Sequence, residues 1–321
     1  MNETICRAVV GAMLHHFTTN MTEEDKADIH PVSLDVAING YPGVNNIDAV
    51  QMSTSGGYGF PGPKLKYMTQ PEEYDVWSHF RTLDESTLAA VQEMRDKCSQ
   101  GIRPGAVFSM SFKDEMLGKL KVLMGKARGV YSCNLTLLTN MRMSTMGMTR
   151  VMVRRASLFG IAVGLNTHSE EWNDLYAEAE RLEGDNWLAG DFKAFEAVLS
   201  LLISNCVSKV FMGIARWSGN FSAEELLILE TLLAEISNAT IDFLGTLVTL
   251  LGGEVSGHQL TTFFNCMANV FLHCYAFVEI EATEQNYHHY LEQGKDFFDK
   301  VFIRTLGDDV ICKVSIDKPT Y

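Results

Sequence analysis

The sequence predicts an α+β fold, and three observations carry that expectation. Two β-prone runs, 301–306 and 310–316, are separated only by Gly307-Asp308-Asp309, the composition of a tight hairpin turn. A short apolar run, Trp187-Leu188-Ala189, ends at Gly190-Asp191 and gives way to helical spacing from about Phe195 to Ala215, so a strand passes into a helix there. Apolar residues at helical intervals fill much of the rest.

The first hundred residues mix short helical patterns with the stretch Gly56 to Pro63, whose glycines and prolines make a loop. Residues 71–100 read as helix, with Leu83, Leu88, Val91 and Met94 at roughly helical spacing. A further helix is expected from Ser222, a suitable N-cap ahead of Glu224 and Glu225, to about Leu251, where Gly252-Gly253 breaks it. Another is expected from about Gln259 to Glu279. Gly57-Tyr58-Gly59-Phe60-Pro61-Gly62 fits the G-x-G-x-x-G spacing of a dinucleotide fingerprint. Pro61 and Pro63 prevent a helix from opening on those glycines, which excludes that reading.

With 321 residues, 46% hydrophobic and 21% charged, the chain has the composition of a folded protein with one large or two subdivided cores. Seven cysteines lie singly with no C-x-x-C pair, which points to reduced thiols and not to a disulfide or zinc framework. His15-His16 and His288-His289 lack companion ligands at metal spacing. No basic-then-apolar leader opens the sequence. The apolar stretches 198–215 and 225–251 are interrupted by charges and read as buried helices, so no transmembrane segment is expected. A net charge of −14 argues against a nucleic-acid partner, but its distribution does not. From Arg103 to Arg155 there are ten Lys/Arg and only two acids, Asp114 and Glu115. Such a block suits either a solvated face or a local phosphate-binding track, and charge alone leaves both open.

The residues with the most chemical promise are Asp191, at a strand end, and Asp308-Asp309, in the hairpin. Magnesium takes a few carboxylates together with phosphate oxygens and water, and aspartates brought together on rigid strands supply that donor set. In isolation Gly-Asp-Asp reads more readily as an ordinary turn than as a catalytic element.

Five ordered motifs change the weighting. They are Thr54-Ser55-Gly56-Gly57-Tyr58; Phe112-Lys113-Asp114-Glu115 with Lys119, Lys121, Gly125-Lys126 and Arg128; Gly190-Asp191-Phe192-Lys193-Ala194-Phe195-Glu196; Gly253 with Ser256-Gly257, Thr261, Asn265 and Asn269; and Leu306-Gly307-Asp308-Asp309. In this order, from about residue 50 onward, the chain resembles the RNA-dependent RNA polymerases of picorna-like positive-strand RNA viruses. The resemblance implies a right-hand polymerase fold of fingers and palm, with the thumb absent from this chain, which would be a fragment of a longer polyprotein. Fingers are expected over 1–183 and the catalytic palm over 184–321, with a fingers-side helical insertion at about 215–251.

The resemblance also implies roles. Asp191, Asp308 and Asp309 would be catalytic and bind two Mg2+ ions, with Mn2+ as a possible substitute; Asp309 would be auxiliary. Lys113, Lys121 and Arg128 would neutralise the incoming ribonucleoside triphosphate. Glu196, Ser256, Thr261 and Asn265 would face its ribose, and Thr54, Ser55, Gly56 and Gly257 the template. RNA template and primer, and other viral replication proteins, would be partners in a replication complex of the host cytoplasm. The sequence departs from the family pattern at Glu196, where a second aspartate is usual, and at Val255, Cys266 and Leu306; these bear on substrate discrimination and not on reaction class. A non-catalytic RNA-binding remnant and a reverse-transcriptase-like enzyme are the alternatives.

Overall fold

The computed structural model describes residues 1–69, 80–126, 128–282 and 285–315, with the side chains of all of these except Glu196 and Ala197. Helices α1 (Glu3–Asn20) and α2 (Glu23–Asp28) open the chain. Asn2 caps the first by accepting from Thr4 N at 2.8 Å, and Thr22 forms a capping box with Asp25 on the second. Helix α3 (Leu34–Asn39) and the two-residue strands β1 (Met68–Thr69) and β2 (Thr82–Leu83) precede helix α4 (Glu85–Ser99). The helix expected over 71–100 therefore starts at Glu85, where Asp84 accepts from Thr87 N at 2.7 Å; Leu83 belongs to a strand, and 71–79 lie outside the described residues.

Strand β3 (Val107–Phe112), helix α5 (Lys119–Leu123) and strand β4 (Gly129–Ser132) cover the basic segment, followed by helix α6 (Leu135–Arg154). Helices α7 (Ala156–Phe159) and α8 (Glu171–Ala179) lead into strand β5 (Asn186–Gly190), which ends immediately before Asp191, so the expected strand end is there. The expected single helix from Phe195 is two, α9 (Phe195–Val198) and α10 (Leu201–Ser218), because Ser200 starts a new N-cap between them.

Helix α11 (Ala223–Ser237) does not continue to Leu251. Strands β6 (Thr240–Phe243) and β7 (Thr246–Thr249) replace its second half, so the insertion expected to be helical is a helix and a hairpin. Thr240, Ile241, Phe243, Thr246, Val248 and Thr249 favour the pleated surface. Leu244 and Gly245, both at positive φ (52° and 85°), supply the two-residue turn that matches strand twist. Helices α12 (Thr261–Glu281) and α13 (Tyr287–Lys300) then lead to the closing hairpin of β8 (Val301–Leu306) and β9 (Asp309–Val314).

Two compact units divide the chain. The first comprises Met1–His30, Gly147–Ser222 and Thr262–Tyr321, the second Pro31–Met146 and Ala223–Thr261. In the first, α1 packs on α10 and α13, and aromatic pairs such as Phe17–Phe159 and Phe277–Phe297 (ring centroids 4.6 and 5.6 Å apart) fill the core. Its sheet runs β5-β9-β8, all antiparallel. Arg304 and Lys313, buried on that sheet, pair with Glu178 and Glu180. Helix α12 is long and apolar enough to cross a membrane, yet most of it is buried in the fold, with Phe264, Phe271 and Phe277 wholly enclosed. It is a core helix here.

The second unit carries the sheet β4-β3-β6-β7, in which β6 joins β3 in parallel, and packs α4 against α11. Its buried Glu235 accepts from Ala106 N at 2.5 Å and Arg103 Nε at 2.9 Å, so the carboxylate anchors the chain entering β3. All seven cysteines are free and buried, in line with the expected reduced thiols.

Candidate active site

In the first unit, antiparallel pairing brings the aspartates together. Register places Gly190 opposite Val310, so Asp191 leaves β5 level with the start of β9, where Asp309 is the first residue. Leu306 and Asp309 close the hairpin, leaving Gly307 and Asp308 as a two-residue loop. Gly307 has φ +68°, with Asp308 at negative φ, so the turn requires glycine at the first loop position. Asp191 and Asp309 are exposed and Asp308 is half-buried. Reduced hydration, the negative charges of Asp308 and Asp309 and a hydrogen bond with Asp308 together hold the Asp191 carboxyl above the usual carboxylate range.

Helix α12 pins this turn from beneath. Asn269, wholly buried, donates through Nδ2 to the carbonyls of Gly307 and Asp308 at 3.1 Å each and of Asp309 at 3.4 Å. One turn earlier, Cys266 Sγ accepts from Gly307 N at 3.2 Å and lies 3.4 Å from Thr305 O. On the far side of β8, Thr305 N donates to Gly160 O (2.9 Å) and Ala162 N to Thr305 O (2.8 Å), so the strand carrying the turn is bonded on both edges. Sequence reasoning treated Cys266 only as a departure and gave Asn269 no role. The signal was their i, i+3 spacing, which puts both on one helix face.

Three mutually repelling carboxylates on an open face are an all-oxygen donor set of the kind a hard divalent cation takes. Among the described residues no group of three or more His, Cys, Asp or Glu side chains is already closed around a common metal position, so the cluster is a face and not a cage. Beside it a cavity of about 490 Å³ is lined by Trp172, Leu175, Asp191, Leu306, Asp309 and Ile311. Downstream of Asp191, Ala194 holds φ +56°, an uncommon state for a non-glycine residue, just before α9. Glu196 lies in α9, and its side chain is outside the described set. Asn265 is half-buried on α12, and its buried Oδ1 has no hydrogen-bond partner among the described residues.

The remaining candidates belong to the second unit. Lys113 N donates to Arg128 O at 2.8 Å, just beyond the last ladder pair of β3 and β4, which sets Lys113 and Arg128 side by side at the strand ends. Lys121 lies on α5 between them in sequence, and all three side chains are exposed. The basic block is not one continuous track. Arg142 is buried against Ala37 O, Asp48 O and Gln259; Arg103 is bound to Glu235; Arg150, Arg154 and Arg155 pair with Asp25 and Asp28. Among the described residues, Lys119, Lys121, Lys126 and Arg128 have no ion pair, and Lys113 has an exposed one with Glu115 at 3.5 Å.

Thr54 hydroxyl accepts from the buried Lys64 Nζ (2.6 Å), Ser55 Oγ accepts from Gly57 N (3.1 Å), and Gly56 O accepts from Leu135 N (2.9 Å). No helix opens on Gly57, Gly59 or Gly62, in keeping with the rejected fingerprint. Thr261 Oγ1 donates to His258 O at 3.0 Å, and Ser256 Oγ accepts from Tyr131 N at 3.3 Å. Gly257, at φ +93°, could carry no side chain, because a Cβ there would lie 2.2 Å from Tyr131 O.

Residues 3–320 match the family described as viral RNA-dependent RNA polymerase. The chain belongs to that family. It is 27% identical over 304 residues to the RNA1 polyprotein of Broad bean wilt virus 1, covering 91% of this chain and 15% of that protein. It is 23% identical over 223 residues to the replicase polyprotein of Acute bee paralysis virus, covering 70% and 11%. Among solved structures, the Sicinivirus 3Dpol RNA-dependent RNA polymerase superposes with a TM-score of 0.75 at 16% identity, over 98% of this chain and 58% of that one. The fold is thus the α+β right-hand polymerase fold of picorna-like viral polymerases. This chain spans less than a sixth of its polyprotein relatives and about three-fifths of the solved polymerase.

Proposed function

We propose that this chain is the fingers and palm portion of an RNA-directed RNA polymerase, which extends an RNA primer on an RNA template during viral genome replication in the host cytoplasm. The observation that carries the reading is the approach of Asp191 to Asp308 on a hairpin whose backbone is anchored by buried Asn269 and Cys266. The first compact unit is read as palm and the second as fingers. The polyprotein relatives suggest that the chain is a segment of a longer precursor.

Bound magnesium, two ions in this reading, would supply charge stabilisation for the attacking and leaving oxygens of ribonucleotidyl transfer. The chain's own residues do the rest. Asp191 and Asp308 would hold the cations, with Asp309 auxiliary, and positive charge there would offset the mutual repulsion that raises the Asp191 carboxyl. Lys113, Lys121 and Arg128 neutralise the triphosphate, Arg128 through a planar fork and the lysines as point charges. Ser256 has an acceptor lone pair engaged by Tyr131 N–H, which leaves its own proton to donate to the ribose. The unpartnered Oδ1 of Asn265 is a ready acceptor for the 2′-hydroxyl, the group that separates RNA from DNA precursors. Thr261 and Glu196 are assigned to ribose recognition as well, and Thr54, Ser55, Gly56 and Gly257 to template contact.

The test is single-nucleotide incorporation on an RNA primer-template by the polymerase-length protein containing this chain, with rNTP and dNTP compared. Strong rNTP preference that depends on divalent metal is expected. Preference for dNTP would favour the reverse-transcriptase reading, and template binding without incorporation the remnant.

A further inference from the structure

The loop ahead of α12 contains a buried ion-pair geometry that the reading above does not use. Glu254 and His258 side chains are 2% and 0% exposed, and His258 Nε2 lies 2.6 Å from Glu254 Oε1. Leu260 N donates to His258 Nδ1 at 3.1 Å. Nδ1 therefore keeps its lone pair, the ring proton sits on Nε2, and it is donated to the Glu254 carboxylate. A neutral imidazole and a buried carboxylate are a poor source of stability, since desolvating the charge costs more than one neutral donor returns. Apolar side chains of similar volume would serve packing better, so a different purpose is called for.

We propose that Glu254 and His258 are a positioning pair for Ser256 and Gly257, a proposal that rests on the ribose-facing reading of Ser256. Their side-chain bond closes a chord across Val255-Ser256-Gly257, outside any helix. The enclosed residues then meet the β4 backbone, Ser256 Oγ through Tyr131 N–H and Gly257 through close approach to Tyr131 O. Gln259, next along the chain, is held by Arg142 Nη1 at 2.9 Å. The loop is thus fixed at both ends by buried polar contacts while Ser256 remains half-exposed. Small displacements of such a group from its productive position cost disproportionately in rate.

The test uses the polymerase-length protein, with amide exchange at Tyr131 and the ratio of rNTP to dNTP incorporation as readouts. Glu254→Ala and His258→Ala should each speed Tyr131 exchange about tenfold or more by freeing the loop. Each should also lower the ratio about fivefold or more through the displaced hydroxyl. Glu254→Gln, which keeps an acceptor for Nε2–H, should retain both properties. A variant that merely unfolds in part loses both substrates together and leaves the ratio unmoved. Unchanged Tyr131 exchange in Glu254→Ala overturns the proposal. So does an unchanged ratio in Glu254→Ala where Ser256→Ala shifts it. If Ser256→Ala itself leaves the ratio unchanged, the ribose reading of Ser256 fails, and Tyr131 exchange alone decides whether the pair positions the loop.

Discussion

The hairpin of Gly307–Asp309 and the hairpin that carries Lys113 and Arg128 are built on the same local plan, two antiparallel strands presenting charges at their ends. They are secured differently. The first is bonded along both strand edges and gripped from below by Asn269 and Cys266, so its carboxylates project from an immobilised backbone. In the second, β3 is paired on both edges only as far as Ser109; towards Lys113 and Arg128 its ladder runs with β4, and the exposed Lys113 side chain pairs with the half-exposed Glu115 at 3.5 Å. The contrast fits the two tasks proposed. Placing a cation demands fixed oxygens, whereas neutralising a triphosphate demands only charge within reach, and surface pairs like Lys113–Glu115 contribute about 0–1 kcal/mol.

Removing the grip on the first hairpin is the sharpest way to break that contrast. Asn269→Leu should leave three turn carbonyls without their donor, cost about 1–3 kcal/mol in denaturant melts and reduce incorporation by about a hundredfold as the aspartates lose register. Lys113→Ala or Arg128→Ala should instead leave stability within about 0.5 kcal/mol while raising KM for rNTP about tenfold, the worth of one charge-assisted contact. If the lysine or arginine variant lowered stability and spared KM, the two hairpins would have exchanged roles.

A smaller effect concerns charge within the aspartate cluster. A carboxyl whose folded pKa is raised binds its proton more tightly folded than unfolded, so stability falls as pH rises from the ordinary Asp value through the raised one. Asp191→Asn should therefore raise Tm slightly near neutral pH in chelator, and the gain should vanish on acidification below the ordinary Asp range. Smallest of all, Cys266→Ser retains an acceptor for Gly307 N–H and should shift stability by less than about 1 kcal/mol, whereas Cys266→Ala should cost more.

The sequence made the aspartate site legible because its parts are short, local patterns: a strand ending at Asp191 and a hairpin closing at Asp309. The α+β class followed from the same runs. What pins the site was not legible, since Asn269 and Cys266 reach residues about forty positions away, and only tertiary packing brings helix α12 under the turn. The error at 238–251 has a different origin. An apolar stretch without clear period was read as helix, although Thr240, Ile241, Val248 and Thr249 are β-branched and Leu244-Gly245 forms the turn. Charge counting could not divide the basic block: Arg142, Arg150, Arg154 and Arg155 serve internal carboxylates and carbonyls, which composition cannot distinguish from surface cations.

The central claim is that Asp191 and Asp308 hold the divalent metal on which nucleotide transfer depends. Single-turnover incorporation of one ribonucleotide by the polymerase-length protein, wild type against Asp308→Ala, tests it most directly. With RNA binding unchanged, the variant should lose at least about a thousandfold in rate, or roughly 4 kcal/mol of transition-state stabilisation. Equal extension by Asp308→Ala and wild type would contradict the account.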